Sequence, residues 1–438
     1  MKPFRDGWAT GRRYFDNPLL RKLIGNAGWL LADRIGRLGL GVVILAWTAR
    51  YLGPGDFGLL SYAQAIVVLV TSVAQFGLTD VVIRDIVRHP DRGDIIISTA
   101  LAIRIAMGVV SIGLSCLVAH LFRPGDELAL VVTLALSVSL LFQAGEVLEY
   151  DLQARNSVAP AVAARSAAFL ICNAVKIVGL LTGAGLFFFA VMIAVEAAVT
   201  ALLFLFANRD GRRLASIRHL SRTEARYLAS QAAPLFLRTA AIAFYMRLDQ
   251  ILISQFYGDA ATGIYAAAVR LVEVWFFAPI AIMTALVPTL ASAYLNDQQV
   301  YRRQLKQAMR ILVYGSFAFA LVASLLAGPI ISLFYGTQYE GAVAILRIYA
   351  WSAVFGTLGL ATNAWFVNSG LMRYAFHQAL IGLIFNAGLN VVLIGMIGPI
   401  GGAIAYVVSQ IMTNYLLNAV FAATRPVFWL QTEVLTLR

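Results

Sequence analysis

Charge is scarce in this chain: 13% of its 438 residues are Asp, Glu, Lys or Arg, against roughly 25% in soluble domains. With 60% hydrophobic residues, that scarcity excludes an ordinary soluble domain and defines an all-α polytopic membrane protein. Cysteine is nearly missing. Cys116 and Cys172 both fall in apolar runs without metal-ligand spacing, which leaves no disulfide framework and no thiol chemistry. Four histidines, no Gly-Lys-Ser/Thr phosphate loop and no Ser-His-Asp arrangement argue against a metal, a cofactor or nucleotide hydrolysis, so no enzyme activity is expected. Carboxylates are fewer than cations, 22 against 34. The resulting net charge of +12 reflects membrane topology rather than nucleic-acid binding.

What is present is a series of apolar runs long enough to cross about 30 Å of hydrocarbon, about 12 in all. They are expected near 24–50, 58–83, 95–120, 128–150, 160–182, 185–207, 229–256, 263–290, 308–334, 341–367, 375–397 and 400–424. Gly- and Pro-containing breaks such as GPGDFG, RPGDE, YGDAATG and GPIGG separate them. The first run is too long and too charged for a cleaved secretory signal and lacks an Ala-x-Ala-like site, so it is expected to stay as the first span. Basic residues sort into alternate connections, which puts both termini in the cytoplasm; the opposite side holds only Arg50 and Arg123. Outward loops are short and leave no room for a sizeable extracytoplasmic domain.

The expected organisation is a basic arm (1–22), a six-helix lobe (23–207), a basic linker (208–228), a second six-helix lobe (229–424) and a cytoplasmic tail (425–438). The two lobes share a motif: YLGPGDFGLLSYAQA (Tyr51 to Ala65) is similar to FYGDAATGIYAAAVR (Phe256 to Arg270), with Gly53-x4-Gly58 matching Gly258-x4-Gly263. Arg34 precedes Gly53 by nineteen residues, and Arg238 precedes Gly258 by twenty. An even number of spans per repeat makes the lobes parallel in topology, facing each other across a central cavity.

Charges inside apolar spans cost at least ~2.5–3.5 kcal/mol each near the bilayer centre unless paired or wet. In WLLADRIGRLGLG, Asp33, Arg34 and Arg37 share one helical face, with Asp33 placed to hold Arg37. Arg270 and Glu273 form a second local pair, with Arg247 and Asp249 as further ion-pairing residues. Arg34 and Arg238 have no carboxylate three or four residues away, and each lies about 15 Å from the cytoplasmic helix end. Guanidinium groups never deprotonate and their planar fork suits phosphate oxygens. Arg34, Arg37, Arg238 and Arg270 are therefore the candidate anion-binding set. Arg104, Arg165, Lys176 and Arg347, outside the duplicated helices, are assigned to packing, and Asn386 and Asn390 to amide bonding between helices.

Three stretches carry a family resemblance. RYLGPGDFGLLSYAQAIVVLVTSVAQFGLTDVVIRDIVR (Arg50 to Arg88), RLDQILISQFYGDAATGIYAAAVRLVE (Arg247 to Glu273) and NAGLNVVLIGMIGPIGGAIAYVVSQ (Asn386 to Gln410) together resemble bacterial polysaccharide or O-antigen flippases. Their superfamily also holds multidrug and toxic-compound extrusion antiporters and the lipid-linked peptidoglycan precursor flippase. The resemblance implies outward carriage of undecaprenyl-pyrophosphate-linked oligosaccharide across the inner membrane by alternating access. Arg34, Arg37 and Arg270 would then meet the pyrophosphate, membrane lipids would surround the protein, and a polysaccharide polymerase with its chain-length machinery would be partners. The peptidoglycan precursor flippases usually carry extra C-terminal spans, which argues against that substrate. A cation-coupled drug antiporter would want an acidic cavity, and a membrane polymerase or ligase a large outer loop; the sequence favours neither.

Overall fold

The computed structural model describes residues 18–155, 157–208 and 220–436; the side chains of residues 18–35 and of Leu38, Pro234, Leu235, Leu237 and Arg238 lie outside the described set. Residues 1–17 of the expected basic arm and 209–219 of the expected linker are likewise outside it. Among the described residues every regular element is helical. The N-terminal half holds α1 (Pro18–Gln75), α2 (Leu78–Arg88), α3 (Gly93–Phe122), α4 (Glu127–Phe142), α5 (Glu146–Ala154), α6 (Val158–Thr182) and α7 (Leu186–Ala207). In the C-terminal half follow α8 (Arg222–Trp275), α9 (Phe277–Asn296), α10 (Gln298–Leu325), α11 (Ala327–Phe334), α12 (Ala342–Tyr349), α13 (Ser352–Asn368), α14 (Met372–Ile397), α15 (Pro399–Ile411), α16 (Leu417–Val420) and α17 (Arg425–Leu435). A π-helical turn, Met412–Leu416, joins α15 to α16.

Ten helical stretches among the described residues are long and apolar enough to cross a membrane, where about twelve were expected. Two of them explain the difference. The stretches Gly39–Arg88 and Thr239–Asn296 have 50 and 58 residues, about 75 Å or more at 1.5 Å per residue, too long for one crossing. Each contains a glycine with non-helical backbone, Gly53 at φ 76° and Gly258 at φ 78°, and each takes the place of two expected spans. Three of the four positive-φ glycines in each half correspond in order, Gly53, Gly125 and Gly183 with Gly258, Gly336 and Gly398, while Gly77 and Gly370 have no counterpart. Within the expected tail, residues 425–435 form α17, and Glu433 on it pairs with Lys306 (2.6 Å) and Arg302 (2.8 Å) of α10.

Lipid tails are as apolar as leucine, so close packing and interhelical hydrogen bonds hold such a bundle. The tightest approach is between the duplicated motifs themselves. A Cβ on Gly58 would sit 1.7 Å from the Asp259 carbonyl oxygen, and one on Gly263 would sit 2.1 Å from that of Pro54. Only glycine on both sides lets these backbones cross. Around the crossing Ala46, Ala49 and Phe57 of α1 share one buried cluster with Tyr265 and Ala266 of α8, so both halves contribute to it. At the other end of the bundle, Leu228 and Ala232 of α8 are buried with Leu78 and Val82 of α2, and Phe236 stacks on Phe76.

Candidate functional site: a cationic cavity beneath a sealed crossing

A cavity of about 790 Å³ lies between the halves. Arg37 of α1 and Arg270 and Glu273 of α8 line it, with Glu149 of α5 and Arg165 of α6 on a further wall. It continues toward the Gly58–Gly263 crossing into a smaller space of about 240 Å³ lined by Gln64, Lys176, Glu196 and Arg270. Arg270 thus borders both parts.

The C-terminal half supplies an arginine–glutamate–arginine arrangement. Glu273 receives Arg270 Nη1 at 3.1 Å and Arg247 Nη1 at 2.8 Å, one carboxylate between two guanidiniums. Arg270 Nη2 also donates to Gln64 Oε1 across the seam, at 2.8 Å. Asp249 does not join Arg247 in an ion pair. It is buried and accepts from the Tyr265 hydroxyl (2.5 Å) and the Gln250 backbone N–H (2.7 Å), a correction to its sequence assignment. The Arg270–Glu273 pair is found as expected. Arg37 lines the cavity, while the side chains of Asp33, Arg34 and Arg238 lie outside the described residues, so the expected Asp33–Arg37 pair does too.

Arg165 and Lys176, assigned from sequence to packing, stand on the cavity wall. Arg165 bonds Glu149, and Lys176 Nζ donates to Glu196 Oε2 at 2.7 Å. Arg104, by contrast, does serve packing: it is 1% exposed and bonds Glu146 (2.7 Å) and the Gln143 carbonyl (2.8 Å). Asn386 donates to Ser409 and accepts from Asn390, the amide network expected between helices. Among the described residues, every carboxylate lining the two spaces is engaged by a cation. The lining therefore presents Arg37, Arg165, Lys176 and Arg270 against Glu149, Glu196 and Glu273, a cationic surplus before Arg247 is added.

Over the glycine crossing lies a polar lock that sequence reading missed. Arg123 grips Asp259 with both terminal nitrogens (2.5 and 3.2 Å), holds Asp126 at 3.1 Å, donates to Ser254 and lies 4.4 Å from the Tyr62 ring centroid. Its guanidinium is held above the ordinary arginine value by the Asp259 hydrogen bond and charge, which outweigh the desolvation that opposes them. Beside it Gln338 and Tyr339 donate to the carbonyls of Arg50 and Ala49, each at 2.7 Å. Arg50 and Arg123, the two basic residues that topology placed on the sparse side, both lie at this seam. Their isolation from other cations was the signal.

Solved transporters share this architecture. The chain resembles a multidrug resistance MATE family transporter of the MOP superfamily in its inward-facing conformation, with a TM-score of 0.74 at 16% identity over 92% of this chain and 95% of that one. It resembles the lipid II flippase MurJ, inward closed, with a TM-score of 0.72 at 17% identity over 93% and 91%. These likenesses define the class by fold: a polytopic membrane protein with the MOP-superfamily transporter fold. Within that class, the chain belongs to the family of polysaccharide biosynthesis proteins, whose sequence profile matches residues 47–344. Among curated relatives it is 32% identical over 181 residues to a probable flippase, AglR, of Haloferax volcanii, covering 39% of this chain and 37% of that protein. It is 25% identical over 260 residues to the lipid II flippase MurJ of Bacillus subtilis, covering 55% and 48%. The matched stretches span less than half the length of each of these relatives.

Proposed function

We propose that the protein is a flippase that carries undecaprenyl-pyrophosphate-linked oligosaccharide repeat units from the cytoplasmic to the outer face of the inner membrane. The single observation that carries this reading is the cavity's surplus of guanidinium groups, contributed by α1 and α8, at the meeting of the two halves. A pyrophosphate bridging Arg37 and Arg270 engages both halves at once, which gives anion binding a handle on their relative position. In the structure the Gly53 and Gly258 end is closed, and on the topology read from the basic loops that end faces outward. The chain is then in its substrate-loading form, with both termini cytoplasmic. The 23–207 and 229–424 lobes rock about this cleft. A drug antiporter is disfavoured because, among the described residues, each carboxylate lining the cavity is engaged by a cation of the protein rather than open to a lipophilic cation.

The test is export in cells deprived of their own flippase and supplied with this chain. Wild type should restore surface polysaccharide, while Arg37→Ala and Arg270→Ala should block it and accumulate lipid-linked sugar in the inner leaflet. Arg→Lys should retain part of the activity, since it keeps charge but not the bidentate fork. Normal membrane levels and native export rates in both alanine variants would sink the anion-cavity mechanism.

A further inference from the structure

A second cavity, of about 480 Å³, lies wholly within the C-terminal half and meets the cationic cavity at Glu273, which lines both. Its chemistry is different. Four amide side chains line it, Asn363, Gln378, Gln410 and Asn414, together with Thr413 and the tyrosines Tyr245, Tyr349 and Tyr406. Glu273, its carboxylate, is already held by Arg247 and Arg270. The space extends along α8, α13 and α14 toward the bundle end remote from Gly258, where α13 stops at Asn368 and α14 starts at Met372.

The polar groups are there by construction. The π-helical turn Met412–Leu416 carries Thr413 and Asn414, and single π turns within helices recur at functional sites. Facing glycines make room for them: a Cβ on Gly359 would come within 2.3 Å of Asn414 Oδ1, and one on Gly382 within 2.3 Å of Thr413 Oγ1. Tyr349 and Tyr406 stack at 4.6 Å between centroids, and Tyr245 packs on Tyr406 at 5.5 Å. The buried Tyr245 hydroxyl and Thr413 Oγ1 are each other's polar neighbours, outside strict hydrogen-bond geometry. Buried hydroxyls satisfied this weakly keep donor and acceptor capacity for a ligand.

We propose that this cavity receives the first sugars of the lipid-linked oligosaccharide while its pyrophosphate lies at Arg37 and Arg270. Neutral amides and hydroxyls serve the donor and acceptor pattern of sugar hydroxyl groups, and tyrosine rings offer apolar contact to sugar C–H faces. Glu273 marks the junction between the anionic and the saccharide parts of the substrate. The inference rests on the flippase reading and adds to it a site that selects for sugar.

The full chain in lipid nanodiscs is loaded with an equimolar mixture of undecaprenyl pyrophosphate and the lipid-linked oligosaccharide fraction extracted from cells that make the protein. Native mass spectrometry then reads the ratio of sugar-bearing to bare adducts. Wild type should favour the sugar-bearing form by about tenfold or more, the worth of one or two hydrogen bonds to groups otherwise left unpaired. Gln410→Leu with Asn414→Leu should bring that ratio to about one while keeping the bare adduct, whereas Arg270→Gln should lose both adducts. Tyr245→Phe guards against misfolding: it removes a hydroxyl whose contact with Thr413 falls short of full hydrogen-bond geometry, so thermal stability should change little while sugar preference falls severalfold. An unchanged preference in the double variant and in Tyr245→Phe overturns the proposal. Equal binding of the two lipids by wild type also overturns it but leaves the flippase reading standing, and binding of neither removes both.

Discussion

Adding one methyl group at Gly58 should force the sealed end of the molecule apart. In the structure that Cβ would lie 1.7 Å from the Asp259 carbonyl oxygen and 2.5 Å from its carbon, and 2.9 Å from the Gly263 backbone nitrogen. All three are main-chain atoms, so no side chain can swing aside, and the helices must separate by more than 1 Å to reach ordinary contact, roughly the 3.4 Å of a relaxed pair. Overpacking of this kind costs about 1–3 kcal/mol. Where a second conformation is open to the protein, the cost falls on the closed form alone and shifts the population toward the open one by roughly 5- to 150-fold. The readout is Thr48→Cys, a buried position lining the cavity beneath the crossing, in a background without Cys116 and Cys172. In intact spheroplasts, labelling by an impermeant maleimide should be slow in the parent and faster by that factor in Gly58→Ala. If Gly58→Ala is made at normal levels and labels at the parental rate, the crossing is not the seal.

Other expectations follow from the same geometry. Arg123 holds Asp126 of its own half as well as Asp259, so opening trades two carboxylates for one; Asp259→Asn should speed Thr48→Cys labelling, and Asp126→Asn should slow it by leaving Asp259 as the sole charged partner. Cysteines replacing Gly125, Gly183 or Gly336 should label in intact cells and those replacing Arg88, Arg303 or Arg373 only after permeabilisation; the reverse pattern would invert the topology. Hydrogen bonding and charge from Lys306, aided by Arg302, hold the Glu433 carboxylate below its ordinary value despite some desolvation. A depressed carboxylate value means that α17 docking is supported above the unfolded value and weakens as pH falls through the folded one. Quenching of Trp429 fluorescence by acrylamide should therefore rise only under acid conditions, and Glu433→Gln should remove that dependence.

The helices were legible because apolar run length is a direct consequence of bilayer thickness. The Gly-x4-Gly repeat was legible as spacing, yet nothing in one dimension says that Gly58 and Gly263 meet each other, since that contact depends on how two distant segments cross. Arg165 and Lys176 were assigned to packing because they lie outside the duplicated helices, and each does tie two helices together. Their place on the cavity wall was not legible, because it depends on which neighbouring antiparallel helix supplies the partner. Arg104 with Glu146, Glu149 with Arg165 and Lys176 with Glu196 each lie at equal sequence distance on either side of a connection, near Gly125, Ser157 and Leu186. Folding each hairpin about its turn pairs them all. Asp249 was read as an ion-pairing residue without a named partner, and Tyr265, beyond the Gly258 break in α8, reaches its carboxylate instead.

These attachments constrain how the halves can move. Near its start α8 is fastened to the N-terminal half by Arg92 with Glu224 (2.6 Å), by the Leu228 and Ala232 burial and by the Phe76–Phe236 stack. At the far end of the same leg it is fastened again, by Asp259 to Arg123. A rigid α8 would hold the halves together at both ends and permit no alternation. The two fastenings differ in kind, however. The first is an apolar cluster around an ion pair, whereas the second is glycine backbone contact plus an arginine that keeps Asp126 when it releases Asp259. The second is the one that can open without stranding a charge on the N-terminal half. Opening there while the first holds requires α8 to bend between them, and Arg247 lies on that stretch, while its partner Glu273 and Arg270 lie beyond Asp259. An anion bound at Arg270 and Arg37 therefore acts on the bending segment through Glu273, the carboxylate that Arg270 shares with Arg247, and so can shift the population between the two forms.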